Sequence, residues 1–155
     1  MNIERLKRQL IVDEGKREAP YKDTVGVWTI GIGRNMQRGL TGQEFVSLAL
    51  LEPLSEAQID YLFRRDFETH LVETRVLFPL LDSYSPARQE ALVNMVFNMG
   101  APKLGKFAKM RAAIDADDWA TAADEAMDSV WYVQVGARGE RIVHALRHGD
   151  WATPA

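Results

Sequence analysis

Two carboxylates and a hydroxyl stand close together near the amino terminus: Glu14, Asp23 and Thr29, within the stretch from Asp13 to Gly33. A pair of carboxyl groups flanking a groove is what hydrolysis of a glycosidic bond needs. One acid protonates the leaving oxygen and one base handles water. With 22 acidic residues in a chain of 155, a Glu–Asp pair at this spacing arises often by chance. The elements that hold the three groups therefore decide whether they form a site.

Ile3, Leu6, Leu10 and Ile11 recur with a helical period, which predicts an amphipathic helix over 3–13. Gly15 follows as its C-terminal cap and leaves Glu14 where the chain turns. Asp23 opens the tetrad Asp23-Thr24-Val25-Gly26, a type I turn signal. Beyond it Trp28, Ile30 and Ile32 share one strand face, the expected core side. Thr29, Gly31 and Gly33 share the other, where a hydroxyl is followed by two positions without side chains and a ligand could lie against the backbone.

The rest of the chain reads as helix. Thr41-Gly-Gln-Glu44 is a capping box opening a short helix through Leu51, and Ser55-Glu-Ala-Gln58 is a second. The second opens a helix to about Leu77, before Pro79, with Ile59, Leu62, Phe63, Phe67 and Leu71 on one face. Such a helix spans about 30 Å and would serve as a spine joining two lobes. Ser85-Pro86 starts another, with Leu92, Met95, Val96 and Met99 as its buried stripe and Gly100 as its end. Pro102 and Gly105 mark a turn. Further helices are expected around Phe107–Ile114, Trp119–Met127 and Ala137–Arg147, the last closed by Gly149. There is no internal repeat or linker.

Composition fits one globular domain, with 46% hydrophobic and 26% charged residues. The net charge of −3 argues against non-specific binding to nucleic acid or an anionic surface. The absence of cysteine suits a reducing compartment. The amino terminus lacks the apolar core of a signal peptide. The longest nearly apolar run, Phe45 to Leu51, is far short of the ~20 residues of a membrane helix. No membrane insertion is expected. Residues 115–128 carry six acids and no base, whereas Arg138, Arg141 and Arg147 cluster near the carboxy terminus, and arginine pairs well with partly buried carboxylates.

Asp13-Glu14-Gly15, Tyr21-Lys22-Asp23-Thr24, Gly26 and Thr29-Ile-Gly-Ile-Gly33 closely resemble the phage-type lysozymes, glycoside hydrolase family 24, and within them the T-even phage branch. The resemblance recurs at Ala91-Leu-Val-Asn-Met-Val-Phe-Asn-Met-Gly100, Phe107, Trp131-Tyr132, Arg138 and Arg141, and so covers nearly the whole chain. It implies an α+β, mostly helical, two-lobed lysozyme fold with a small antiparallel sheet in the N-terminal lobe. The lobes would be about 13–55 and 78–155, joined by the helix of about 56–77, with helix 3–13 packed on the C-terminal lobe.

The activity implied is that of an endolysin muramidase, cutting the β-1,4 bond between N-acetylmuramic acid and N-acetylglucosamine in peptidoglycan. Glu14 would be the general acid, with Asp23 and Thr29 activating and holding water in an inverting hydrolysis. Phe97 and Asn98 would line the cleft. Asn35 and Met110 align with sugar-contacting positions, though their residue types differ from the usual ones. Arg138 and Arg141 would face Glu14 and Asp13 in support. No cofactor or metal is implied. A monomer is expected, held in the host cytoplasm until a separate holin releases it to the wall.

One departure stands out. The family usually has His after the last glycine of the motif, and this chain has Arg34, for which Asp66 is the expected partner. Gly31-Ile-Gly33 lacks the third glycine and the Lys-Ser/Thr of a nucleotide loop. His144 and His148, four apart on a helix, have no obvious third ligand. Two other readings compete: a lytic transglycosylase, which would leave 1,6-anhydro products, and a non-catalytic wall-binding module, which would not need both acids.

Overall fold

The first helix, α1, runs Ile3–Glu14, one residue longer than its periodicity predicts. Leu6 and Leu10 on its apolar face are fully buried. Gly15 ends it at φ +79, its N–H donating to the Ile11 carbonyl at 2.9 Å. A left-handed residue is the common way to close a helix, and glycine takes it without a Cβ penalty. The computed structural model describes residues 1–22, 26, 28–36 and 53–152. Asp23 and the helix expected from Thr41 to Leu51 lie outside them.

Three short strands follow, β1 (Arg17–Lys22), β2 (Trp28–Gly31) and β3 (Arg34–Asn35), as an antiparallel sheet in that order. Tyr21 pairs with Thr29 and Lys22 with Trp28, and the register slips between Tyr21 and Arg17. Pro20, which has no N–H to give to a ladder, lies within that slip. Here the structure corrects the face assignment. The strand stops at Gly31, and Ile32-Gly33 forms the turn into β3, with Ile30 opposite Arg34 and Thr29 opposite Asn35.

Gly31 and Gly33 have φ +64 and +65, so they serve the turn instead of extending an open strand face. Trp28 is 46% exposed, its ring beneath the Lys22 ammonium at 5.4 Å, while Ile30 and Ile32 are core. Thr29 is buried at 5% exposure. Period-2 alternation misassigned these positions because the extended segment ends before the pattern does.

Helix α2 (Glu56–Leu77) opens on the expected capping box. The Gln58 N–H donates to Ser55 Oγ at 3.3 Å, and the Ser55 N–H donates back to Gln58 Oε1 at 2.8 Å. Ile59, Leu62, Phe63 and Phe67 are buried along one face, and Leu71 is half-buried. The chain divides into two compact units, Glu4–Thr69 and Met1–Ile3 with His70–Ala155, so α2 begins in the first and ends in the second.

Helix α1, expected on the C-terminal lobe, falls from Glu4 onward with the sheet-bearing unit. Lys7 pairs with Asp60 of α2 and lies 5.7 Å from the Phe63 ring centroid. Only the leading residues join the other unit, where the Asn2 backbone N–H donates to Glu90.

In the second unit α3 spans Pro86–Met99, with Ser85 as cap, proline in the first turn and Gly100 at φ +80 after its end. Leu92, Val93, Met95 and Val96 have no exposed surface. A short helix, α4 (Ala101–Leu104), occupies the expected turn. Then come α5 (Ala108–Asp115), α6 (Trp119–Met127), α7 (Val130–Val135) and α8 (Ala137–His148). Helices α5, α6 and α8 pack in succession, and α3 packs on α8.

Helix α7 was not expected. Its Val-Trp-Tyr-Val-Gln-Val run is β-branched and aromatic, but Ser129 caps it by accepting the Tyr132 N–H. Arg88 donates to the carbonyls of Leu146 and Arg147, satisfying the end of α8, and its guanidinium lies over the Trp119 ring. No helix among the described residues is long and apolar enough to cross a membrane.

Candidate active site

In the sheet-bearing unit the site is built where α1 stops. Glu14 is the last residue of the helix and is half-buried. The turn glycine Gly33 comes so close that a Cβ there would lie 2.8 Å from Glu14 Cβ, 3.0 Å from Cγ and 3.3 Å from Oε2. The carboxylate is therefore walled on one side by bare backbone. Thr29 sits on β2 directly opposite Asn35 of β3, so one strand pairing brings together two of the expected residues. Gly31 packs toward Leu62 of α2, where a Cβ would stand 3.9 Å from Cδ1.

Arg34 follows the turn, and its Nη1 lies 3.0 Å from Asp66 Oδ1, the partner its sequence position suggested. Both side chains are mostly shielded, at 13% and 24% exposure, so the pair is screened less than a surface ion pair. It ties the turn carrying Gly33 to α2.

In the second unit Phe97 and Asn98 stand at the end of α3, and Arg138 is held on α3 by Asn94. Phe97 and Asn98 are both half-buried. Asn98 Oδ1 accepts the Trp131 indole N–H at 2.7 Å, which joins α3 to α7. Arg138 is buried at 7% exposure and donates from Nε to Asn94 Oδ1 at 2.9 Å and from Nη2 to the Asn94 carbonyl at 3.4 Å. A buried guanidinium needs acceptors of this kind. Arg141, one turn on, is half-buried. Met110 is only 1% exposed. It underlies a depression of about 390 Å³ bordered by Lys106, Phe107, Lys109, Glu125 and Ser129.

Nothing in the sequence motifs assigns a role to Asn94, which holds Arg138, or to the indole of Trp131, which holds Asn98. The signal was present: Asn94 and Asn98 are one turn apart within an apolar run, and amides in such a place need partners. His144 and His148 lie ring to ring at 4.5 Å, with His144 Nε2 3.2 Å from Asp150 Oδ1. Among the described residues no three His, Cys, Asp or Glu side chains are grouped to hold a metal ion.

A mostly helical chain with a small antiparallel sheet, and with a glutamate at the end of the first helix packed against a glycine turn, has the build of a lysozyme-type glycoside hydrolase. The family model described as phage lysozyme matches residues 12–148, and the chain belongs to that family, whose members are peptidoglycan hydrolases. It is 30% identical to a probable T4-type lysozyme 2 of Dictyostelium discoideum, over 95% of this chain and 96% of that one. It is 28% identical to a probable T4-type lysozyme 1 of the same organism, with the same coverage. It is also 30% identical to the pre-baseplate central spike protein Gp5 of Enterobacteria phage T4, over 89% of this chain and 27% of that longer protein.

Proposed function

We propose that the protein is a muramidase that hydrolyses the β-1,4 bond between N-acetylmuramic acid and N-acetylglucosamine, and that it serves as an endolysin. Glu14 is the general acid, donating its proton to the leaving glycosidic oxygen. Asp23 acts as base toward the attacking water, which Thr29 helps to hold, so the reaction inverts the anomeric centre by a single displacement. The observation that carries this reading is the placement of Glu14, at the end of a helix and against the bare Gly33 backbone. A side chain at position 33 would occupy the space beside that carboxylate.

Phe97 and Asn98, with Asn35 and Met110, are the proposed sugar contacts. Arg138 and Arg141 are the proposed support for Glu14 and Asp13. The protein works as a monomer on peptidoglycan, held in the host cytoplasm until a holin admits it to the wall.

The test is clearing of chloroform-treated Gram-negative cells by wild type, Glu14→Gln and Asp23→Asn. Loss of about two to four orders of magnitude is expected for Glu14→Gln, the usual worth of a general acid. Equal clearing by wild type and Glu14→Gln would overturn the assignment. Product analysis completes it: an α-anomeric reducing end marks inversion, a β-anomer retention, and a 1,6-anhydro sugar the transglycosylase.

A further inference from the structure

Three of the four tryptophans give their indole N–H to a side chain: Trp119 to Asp117, Trp131 to Asn98 and Trp151 to Glu90. Trp28 is the exception. It stands on β2 with 46% of its surface exposed, and no described residue accepts its N–H. Successive strand residues point to opposite sides, so the indole projects from the face of β2 opposite the buried Thr29. A single exposed apolar side chain is ordinary on a protein surface. What sets this one apart is its cross-strand partner.

Lys22 pairs in register with Trp28 across β1 and β2, and its ammonium lies over the indole, 5.4 Å from the ring centroid. Lys22 is exposed as well. Two chemistries are thereby presented side by side. The negative face of an indole attracts cations, and also the polarised C–H groups that the flat side of a sugar ring supplies. The ammonium sits on a flexible stem and can swing from the ring to a carboxylate. The chain carries a net charge of −3, so attraction to an anionic polymer has to come from a local cation of this kind.

We propose that Trp28 and Lys22 form an accessory glycan site on the sheet, on the side away from Thr29. The indole takes a sugar ring of a peptidoglycan strand, and the ammonium takes a carboxylate of the same strand. Holding the polymer at a second point keeps the enzyme on an insoluble wall between cleavages. The inference rests on peptidoglycan as the polymer, which family membership supports, and on none of the roles proposed for Glu14, Asp23 and Thr29.

The test compares co-sedimentation with purified sacculi in the cold, initial rates on sacculi, and initial rates on short soluble peptidoglycan fragments. Thermal melts accompany every variant. Trp28→Ala should lower binding to sacculi, and the rate on them, about three- to tenfold while leaving the rate on soluble fragments near wild type. Trp28→Phe keeps a ring and should retain most of the binding. Lys22→Gln leaves the indole in place and should lower binding about two- to threefold, and Lys22→Arg should restore it. Wild-type binding should weaken with added salt, and that of Lys22→Gln should do so less.

Unchanged binding to sacculi in Trp28→Ala or in Lys22→Gln overturns the paired site. An equal loss of rate on sacculi and soluble fragments overturns it too, because the pair would then serve the cleft or the stability of the sheet. If wild type binds anionic phospholipid vesicles, and the variants lose that binding but keep sacculi, the patch is a membrane contact and the glycan site is overturned. A wild type that cleaves neither substrate counts against the proposed hydrolysis, and co-sedimentation still decides the accessory site.

Discussion

Gly33 and Glu14 are in such close contact that the β-carbon of any other residue at position 33 would fall 2.8 Å from the β-carbon of the glutamate. The backbone at Gly33 is also left-handed, at φ +65. Gly33→Ala therefore has two separable effects. The conformational strain costs about 1–2 kcal/mol of stability. The clash displaces Glu14, and if Glu14 is the general acid as proposed, its displacement should lower kcat/KM on the order of 10- to 100-fold. Gly136 is the control, because it is also left-handed but a Cβ there meets nothing within 4 Å. Gly136→Ala should lower the melting temperature while leaving kcat/KM near wild type.

The ion pair of Arg34 and Asp66 predicts how stability responds to pH. A guanidinium stays charged throughout the working range. Replacing Arg34 by histidine would make the pair titrate. A histidine beside a carboxylate has its folded pKa raised above the unfolded value near 6.5. Its contribution is then complete below that value and is lost as pH rises through the folded pKa. The melting temperature of Arg34→His should fall between about pH 6 and 8 relative to wild type. Asp66→Asn should cost about 1–3 kcal/mol at any of these pH values, because it takes the opposite charge away from a mostly shielded guanidinium.

Glu90 predicts where the chain ends are held. Its carboxylate has no exposed surface and accepts the Asn2 backbone N–H at 2.6 Å and the Trp151 indole N–H at 2.7 Å. Glu90→Ala leaves a cavity and takes away a charged acceptor, and should destabilise by about 2–4 kcal/mol. Trp151→Phe keeps most of the ring and loses only one charge-assisted bond, so about 1–2 kcal/mol is expected. Denaturant melts measure both losses. Hydrogen exchange at the first and last helical turns should rise in both variants before it rises in α3.

What could be read without coordinates was local. Helix α1 was legible because its apolar residues repeat with the helical period and Gly15 follows. Helix α2 was legible because Ser55 and Gln58 cap each other within four residues. Helix α3 announced itself through Ser85-Pro86 and Gly100. Each of these signals acts between near neighbours in the chain, so composition and order suffice to reveal it. The same holds for the Glu14, Thr29 and Gly33 motif, whose residues lie within one short stretch.

Only the tertiary structure decided the rest. It ended β2 at Gly31, so Gly31 and Gly33 became turn residues, Trp28 was left exposed and Thr29 was buried. It made a helix of Val130–Val135, against the strand preference of those residues, by capping it with Ser129 and docking Trp131 onto Asn98. It tied α1 to α2 through Lys7 and Asp60, and it gave the buried Arg138 its acceptors on Asn94, forty-four residues away. A pairing between distant residues leaves no period in the sequence. It exists because burial removes water, and each polar group so stranded must find whichever partner the fold has brought near.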